Sequence, residues 1–148
     1  MEKGSEVGDD IGSVPPGVLA LEHRLGIQDV LNRYAYVVDA KAWDDLAGVF
    51  SDDATYDMSA VRLGVFDGLA AVRDQLASMR HPQAHFVLGV LVGEAGADGL
   101  VPVQSKYFVR LDDRTIMDGR YDDRLVLTGV GWRIRSRVIR RTGTPLPW

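Results

Sequence analysis

Pro82 divides the hydrophobic pattern of this chain in two. Before it, apolar residues recur at helical spacing; after it, they alternate along four long segments. In the first half, Leu25, Ile27, Val30, Leu31, Tyr34, Val37 and Val38 fall on the face of one helix. Trp43, Leu46, Ala47 and Phe50 predict a second, shorter helix, which Ser51-Asp52-Asp53 ends with turn-forming residues. Residues 54–58 read as a short strand and 61–66 as another strand or a loop. Asp67 fits the N-cap of a third helix that carries Leu69, Val72, Leu76 and Met79 and stops before Pro82. Strands follow over 84–93, 101–111, 115–128 and 131–141, with turn signals between them. Helices followed by a meander of long antiparallel strands specify an α+β domain. Helices on the concave face of a curved sheet would enclose a pocket.

A length of 148 residues fits one domain, here 18–142, between a loose N-terminal tail (1–17) and a short C-terminal tail (143–148). A chain of this size buries roughly 68–70% of its unfolded surface, enough for a core. There is no cysteine, so disulfides, thiolate catalysis and the usual structural zinc sites are excluded. The net charge of −4 gives no overall pull toward nucleic acid. The arginine-rich strand RIRSRVIRR faces a neighbour carrying Asp118, Asp122 and Asp123, and cross-strand ion pairs explain it more cheaply than a nucleic-acid footprint. No apolar run has the length of a membrane span or the character of a signal peptide, and the protein reads as cytoplasmic.

Few residues can carry chemistry. His85 lies in AHFVLGVLV, a strand apolar on both faces and therefore read as buried. It is either a core histidine satisfied by a backbone carbonyl or a general base in a dry cleft. Gly89, on the same face, would leave room for a ligand. Asp39 is either the N-cap of the second helix or, if it turns inward, the partner that fixes the tautomer of His85. Helical projection alone places Asp39 off the apolar stripe. Tyr34 is on that stripe, and Tyr56 and Tyr121 are on strands. Each is a core tyrosine or a hydrogen-bond donor to a carbonyl or enolate. Arg137 could bind a substrate anion or pair with Asp123.

These residues form a recognisable series: YxxxxD over Tyr34 to Asp39, Trp43, LxxxF over Leu46 to Phe50, DDxxY over Asp52 to Tyr56, His85, GxYxD over Gly119 to Asp123 and WRIxxR over Trp132 to Arg137. The series resembles the SnoaL-like group of the nuclear transport factor 2-like superfamily over about residues 24–141, nearest in motif to its scytalone and bile-acid dehydratases. The resemblance implies a cone-shaped α+β barrel whose N-terminal helices pack on a strongly curved antiparallel sheet around a deep apolar pocket. It implies that Asp39 points inward to form an acid–base dyad with His85, and that tyrosines matching Tyr34 and Tyr56 line the pocket.

The expectation is a lyase or isomerase, dehydratase- or cyclase-like, that needs no cofactor or metal. His85 and Asp39 would be catalytic, and Tyr34, Tyr56, Trp43, Tyr121 and Arg137 would bind substrate. The substrate would be a cyclic, largely apolar small molecule such as a steroid, terpenoid or polyketide. The alternative is a binding or assembly module on the same fold, suggested by Leu88-Gly89 where many relatives carry a polar residue. A homodimer through the outer face of the sheet is also expected, with no nucleic-acid or membrane partner.

Overall fold

The computed structural model describes residues 12–148. Its first helix, α1 (Leu21–Asp39), is followed by a 3-10 helix over Trp43–Gly48 and strand β1 (Phe50–Asp57). A single 3-10 turn, Ser59–Val61, leads to β2 (Val65–Asp67) and helix α2 (Leu69–Ser78). The second half is β3 (Ala84–Val92), β4 (Val101–Arg110), β5 (Ile116–Thr128) and β6 (Gly131–Arg140). The fold is α+β: the helices pack on one six-stranded sheet of order β2-β1-β6-β5-β4-β3. The alternating segments after Pro82 are thus four consecutive antiparallel strands.

The sheet is mixed rather than wholly antiparallel, because β1 runs parallel to β6. Parallel neighbours need a long crossover, and α2 with the β3–β5 meander supplies it. A second correction concerns Ser51-Asp52-Asp53, which lie inside β1 and do not end a helix. The turn-forming residues are absorbed by an irregularity in the β1–β6 register between Phe50 and Thr55. A third concerns Asp67. It ends β2, paired with Thr55, and the N-cap of α2 is Gly68, whose φ of 89° takes the chain out of the strand.

The core forms where α1 meets the sheet. Ile27 and Leu31 from the helix are fully buried, as are Val101, Val103, Leu125 and Ile134 from the strands. Each such side chain contributes roughly 1.5–3 kcal/mol relative to exposure. Leu25 is 52% exposed, so the buried stripe runs through Ile27, Val30, Leu31, Tyr34 and Val38 instead. The loose N-terminal tail falls partly on residues 1–11, outside the described residues. From residue 12 onward, Val14 is buried and Gly17 exchanges backbone hydrogen bonds of 2.9 and 2.8 Å with Ala95. The C-terminal tail is held by Arg120, which donates to the carbonyls of Thr144 and Pro145.

The end of α1 decides where Asp39 points. Lys41 takes a left-handed conformation (φ 53°). Its N–H donates to the Val38 carbonyl at 3.1 Å, and the Ala42 N–H donates to the Val37 carbonyl at 3.0 Å. That is a Schellman ending with a lysine where glycine is usual. Asp39 is therefore the last residue of α1 and not the cap of the 3-10 helix. A side chain in the conformation of Lys41 is strained. Lys41→Gly is expected to raise stability by about 0.5–1 kcal/mol, read as a higher urea midpoint; an unchanged or lower midpoint would show that Lys41 is not strained.

β3 is an edge strand with one wet face. Phe86, Leu88 and Leu91 are 44%, 45% and 56% exposed, which corrects the reading of a strand buried on both sides. Only the face bearing His85 turns inward.

Candidate functional site

Three elements bring the site together. The C-terminus of α1 supplies Tyr34 and Asp39, β1 supplies Tyr56, and the first residues of β3 supply His85. α1 packs directly against β3, so the last turn of the helix meets the start of the strand. Asp39 Oδ1 lies 2.6 Å from His85 Nδ1. The same carboxylate accepts the backbone N–H of His85 at 3.1 and 3.2 Å. An ionised carboxylate only accepts hydrogen bonds. Asp39 therefore holds the proton of neutral His85 on Nδ1 and leaves the Nε2 lone pair free. Asp39 stands behind the ring, its side chain 32% exposed, whereas that of His85 is 7% exposed.

His85 forms part of the wall of a cavity of about 470 Å³. Met58, Leu76, Met79, Val109 and Ile139 make that wall largely apolar, and Tyr34, Tyr56, Tyr107 and Tyr121 add hydroxyls. The Tyr34 and Tyr56 hydroxyls are 3.0 Å apart. Tyr34 meets His85 edge to face, with ring centroids 6.2 Å apart. Burial pushes the hydroxyl pKa of Tyr56 and Tyr121 well above the ordinary value, and Tyr34 adds to the rise; Arg137 pulls the other way and is outweighed. Both hydroxyls therefore stay protonated at neutral pH and can donate.

Under the tyrosines lies a buried ion pair. Arg137 donates to Asp123 from Nε at 2.8 Å and from Nη2 at 2.7 Å, and both side chains are fully buried. The guanidinium sits 4.4 Å from the Tyr34 ring centroid and 3.9 Å from that of Tyr121. Burial works against the charge on Arg137, but Asp123 and the tyrosines outweigh it and hold its pKa above the ordinary value. The arrangement can take a proton at His85 Nε2 and can stabilise a developing oxyanion through tyrosine donors.

Residues 19–138 match the SnoaL-like domain. The chain belongs to the SnoaL-like family. Uncharacterised proteins of Mycobacterium bovis and Mycobacterium tuberculosis are each 31% identical to this SnoaL-like protein over 130 residues, covering 82% of it and 86% of each relative. Among solved structures, a proposed aromatic ring hydroxylase from Novosphingobium aromaticivorans is 27% identical with a TM-score of 0.71, covering 86% of this chain and 94% of that one. A proposed scytalone dehydratase from the same organism is 18% identical with a TM-score of 0.68, covering 85% and 97%. LinA is 19% identical with a TM-score of 0.67, covering 86% and 95%. The family match and these likenesses together give the nuclear transport factor 2-like fold. Among the described residues no helix is long and apolar enough to cross a membrane.

The other candidates fall in different places. Tyr121 lines the cavity of this SnoaL-like protein, but Trp43 and Arg137 do not. Trp43 backs His81, with ring centroids 5.3 Å apart. Arg137 is engaged by Asp123 and shielded by two tyrosine rings. Gly89 does not open the cavity: its φ is 60° at an irregularity in the β3–β4 register, and an added Cβ would face Lys106. Leu88 is exposed on the outer face. The missing polar residue at Leu88-Gly89 therefore removes nothing from the cavity.

Two lining residues were not singled out from the sequence. His81 is in the wall, 5.9 Å from the His85 ring centroid, with its Nε2 on the Leu76 carbonyl. Burial lowers its pKa, the nearby His85 adds to that, and the Leu76 bond only partly offsets it. Its position just before Pro82, at a helix end facing a strand, was the available signal. Tyr107 stacks on Tyr121 at 4.4 Å. Tyr107 pairs with Gly119, where an added Cβ would stand 2.6 Å from the Tyr107 hydroxyl and 2.7 Å from the Arg140 carbonyl. Gly119→Ala is expected to cost about 1–3 kcal/mol through overpacking and to displace Tyr107; a thermal midpoint equal to that of the unaltered protein would refute the close approach.

Proposed function

We propose that this protein is a cofactor-independent lyase or isomerase for a cyclic, largely apolar small molecule. The observation that carries the reading is the 2.6 Å contact between Asp39 and His85 Nδ1 at the wall of a cavity of about 470 Å³. That volume lies in the range of small-molecule sites, roughly 300–1,000 Å³. His85 Nε2 takes a proton from a carbon next to a carbonyl or a leaving group. Asp39 stabilises the imidazolium. Tyr56 or Tyr121, held protonated, donates to the oxyanion or to the departing hydroxyl. Elimination gives a dehydratase, and return of the proton elsewhere gives an isomerase.

The test is a panel of steroid, terpenoid and aromatic polyketide ketones incubated in D₂O. Deuterium uptake next to the carbonyl, or loss of water, supports the reading. Tight binding of panel members with neither exchange nor product would replace it with a binding module.

A homodimer through the outer face of the sheet accompanies this reading. Phe86 and Phe108 stack there at 4.5 Å, beside exposed Leu88 and Leu91. Sedimentation is expected to give a dimer at micromolar concentration, and Phe86→Asp a monomer. A monomeric parent protein would end the proposal.

A further inference from the structure

A second cavity, of about 310 Å³, adjoins the first. The two share Val61, Tyr107, Met117 and Ile139 in their walls. The lining changes character beyond those four. The first cavity is walled mainly by aliphatic and aromatic side chains around His85, with Arg80, Asp112 and Asp113 also in its lining and Arg80 paired with Asp112, whereas the second is lined by Arg62, Arg140 and Arg141, with Asp118. Met117, between them, is unbranched and 43% exposed, so it can move aside for a ligand.

The three arginines are unequally engaged. Arg140 reaches Asp122 at 3.2 Å. Arg141 makes only long contacts, 3.4 Å from Nε and Nη2 to the Ala60 carbonyl. The Arg62 side chain has no hydrogen-bond or carboxylate partner among the described residues, and its backbone is held left-handed at φ 64°. That conformation ends the Ser59–Val61 turn, where the Arg62 N–H donates to the Ser59 carbonyl at 2.9 Å. Asp118 is bonded by Thr142 at 2.6 Å. Arg140 is answered by Asp122 and, at longer range, by Asp57, so Arg62 and Arg141 are the two cations here that make no carboxylate contact among the described residues.

We propose that this annex receives an anionic group of the ligand whose ring occupies the first cavity. The substrates are then cyclic apolar molecules that carry a carboxylate or a phosphate on a short arm. The ring lies against His85, and the arm passes Met117 and Val61 to Arg62 and Arg141. The inference rests on the first cavity being the ligand site, and it narrows the substrate class. Neutral ring compounds will bind by their apolar body alone. The anion adds charge-assisted hydrogen bonds and fixes which ring carbon faces His85.

Calorimetry with matched probes tests this. Naphthalene-1-acetate and 4-(1-naphthyl)butyrate carry the carboxylate on two arm lengths, 1-naphthyl phosphate carries the phosphate, and the neutral counterparts are the two carboxamides and the bisamide of the phosphate. At least one anionic probe is expected to bind about ten-fold or more tighter than its amide. The better anion and arm length distinguish carboxylate from phosphate. Arg62→Gly with Arg141→Gln should erase that advantage and leave amide affinity unchanged. Arg62→Gly relieves the left-handed strain, so the variant is expected to keep its thermal midpoint. If the amides bind and the anions bind no tighter, the annex proposal falls while the cavity reading stands. Equal loss of acid and amide affinity in the double variant also overturns it. If no naphthyl probe of either kind binds, both readings fall together.

Discussion

Replacing His85 by alanine will lower turnover by roughly 10²–10⁴-fold while leaving ligand affinity within a few-fold. The ring forms only one part of a wall otherwise made by tyrosines and aliphatic side chains, so truncation removes the base and little contact area. Asp39→Asn is the sharper companion. The carboxylate serves two donors at once, His85 Nδ1–H at 2.6 Å and the His85 backbone N–H at 3.1 and 3.2 Å. An asparagine has one acceptor oxygen for both. If its NH₂ turns to Nδ1 instead, the imidazole proton moves to Nε2, where the lone pair is needed. Loss of this tautomeric control is expected to reduce kcat by about 10²–10⁴-fold, with KM little changed because Asp39 stands behind the ring. Stopped-flow or endpoint assays on any substrate found in the D₂O panel will measure both variants. An Asp39→Asn enzyme with unaltered kcat, chemistry being rate-limiting, would remove the dyad from the mechanism.

The sequence showed these two residues unequally. His85 stood out because a histidine in an apolar strand is rare, but with both faces of the strand apolar no alternation showed which one turns inward. Asp39 could not be aimed by periodicity, since it lies off the stripe through Ile27, Leu31 and Tyr34. Its direction comes from the Schellman ending at Lys41 and from α1 packing against the start of β3, both tertiary facts. Only the family resemblance supplied it in advance. β4 and β6 were legible because apolar and polar residues alternate along them, whereas β3, apolar on both faces, did not reveal that its outer face is exposed. β1 was not legible, because Ser51, Asp52 and Asp53 have turn chemistry and the strand tolerates them at a register irregularity. The parallel pairing of β1 with β6 joins residues from opposite halves of the chain, and no local pattern encodes it. Trp43 and Arg137 belong to the motif series but support the wall from outside. Tyr107 and His81 make the wall itself, and their roles emerge only from strand pairing and from how α2 meets β3.

Removing Asp123 is expected to destabilise the fold by about 3–5 kcal/mol, a large share of the roughly 5–15 kcal/mol that holds a domain together. The cause is the partner left behind. Arg137 is fully buried, and its Nη1 already lacks a hydrogen-bond partner. Asp123→Ala would leave the whole guanidinium facing only the rings of Tyr34 and Tyr121. The thermal midpoint should fall by on the order of 10 °C. The double variant Asp123→Ala with Arg137→Met should regain much of that loss, because a buried ion pair is often no more stabilising than apolar side chains of similar volume. Urea unfolding of the two single variants and the double variant completes the cycle. A single Asp123→Ala change costing under about 1 kcal/mol, or a double variant as unstable as the single, would refute this account of the pair. The double variant also isolates what the charge does for the site. Arg137 lies against Tyr34, whose hydroxyl is 3.0 Å from that of Tyr56. Without the cation the tyrosine hydroxyls become weaker donors toward an oxyanion. A refolded, stable double variant should therefore still bind neutral ring probes yet turn substrate over more slowly.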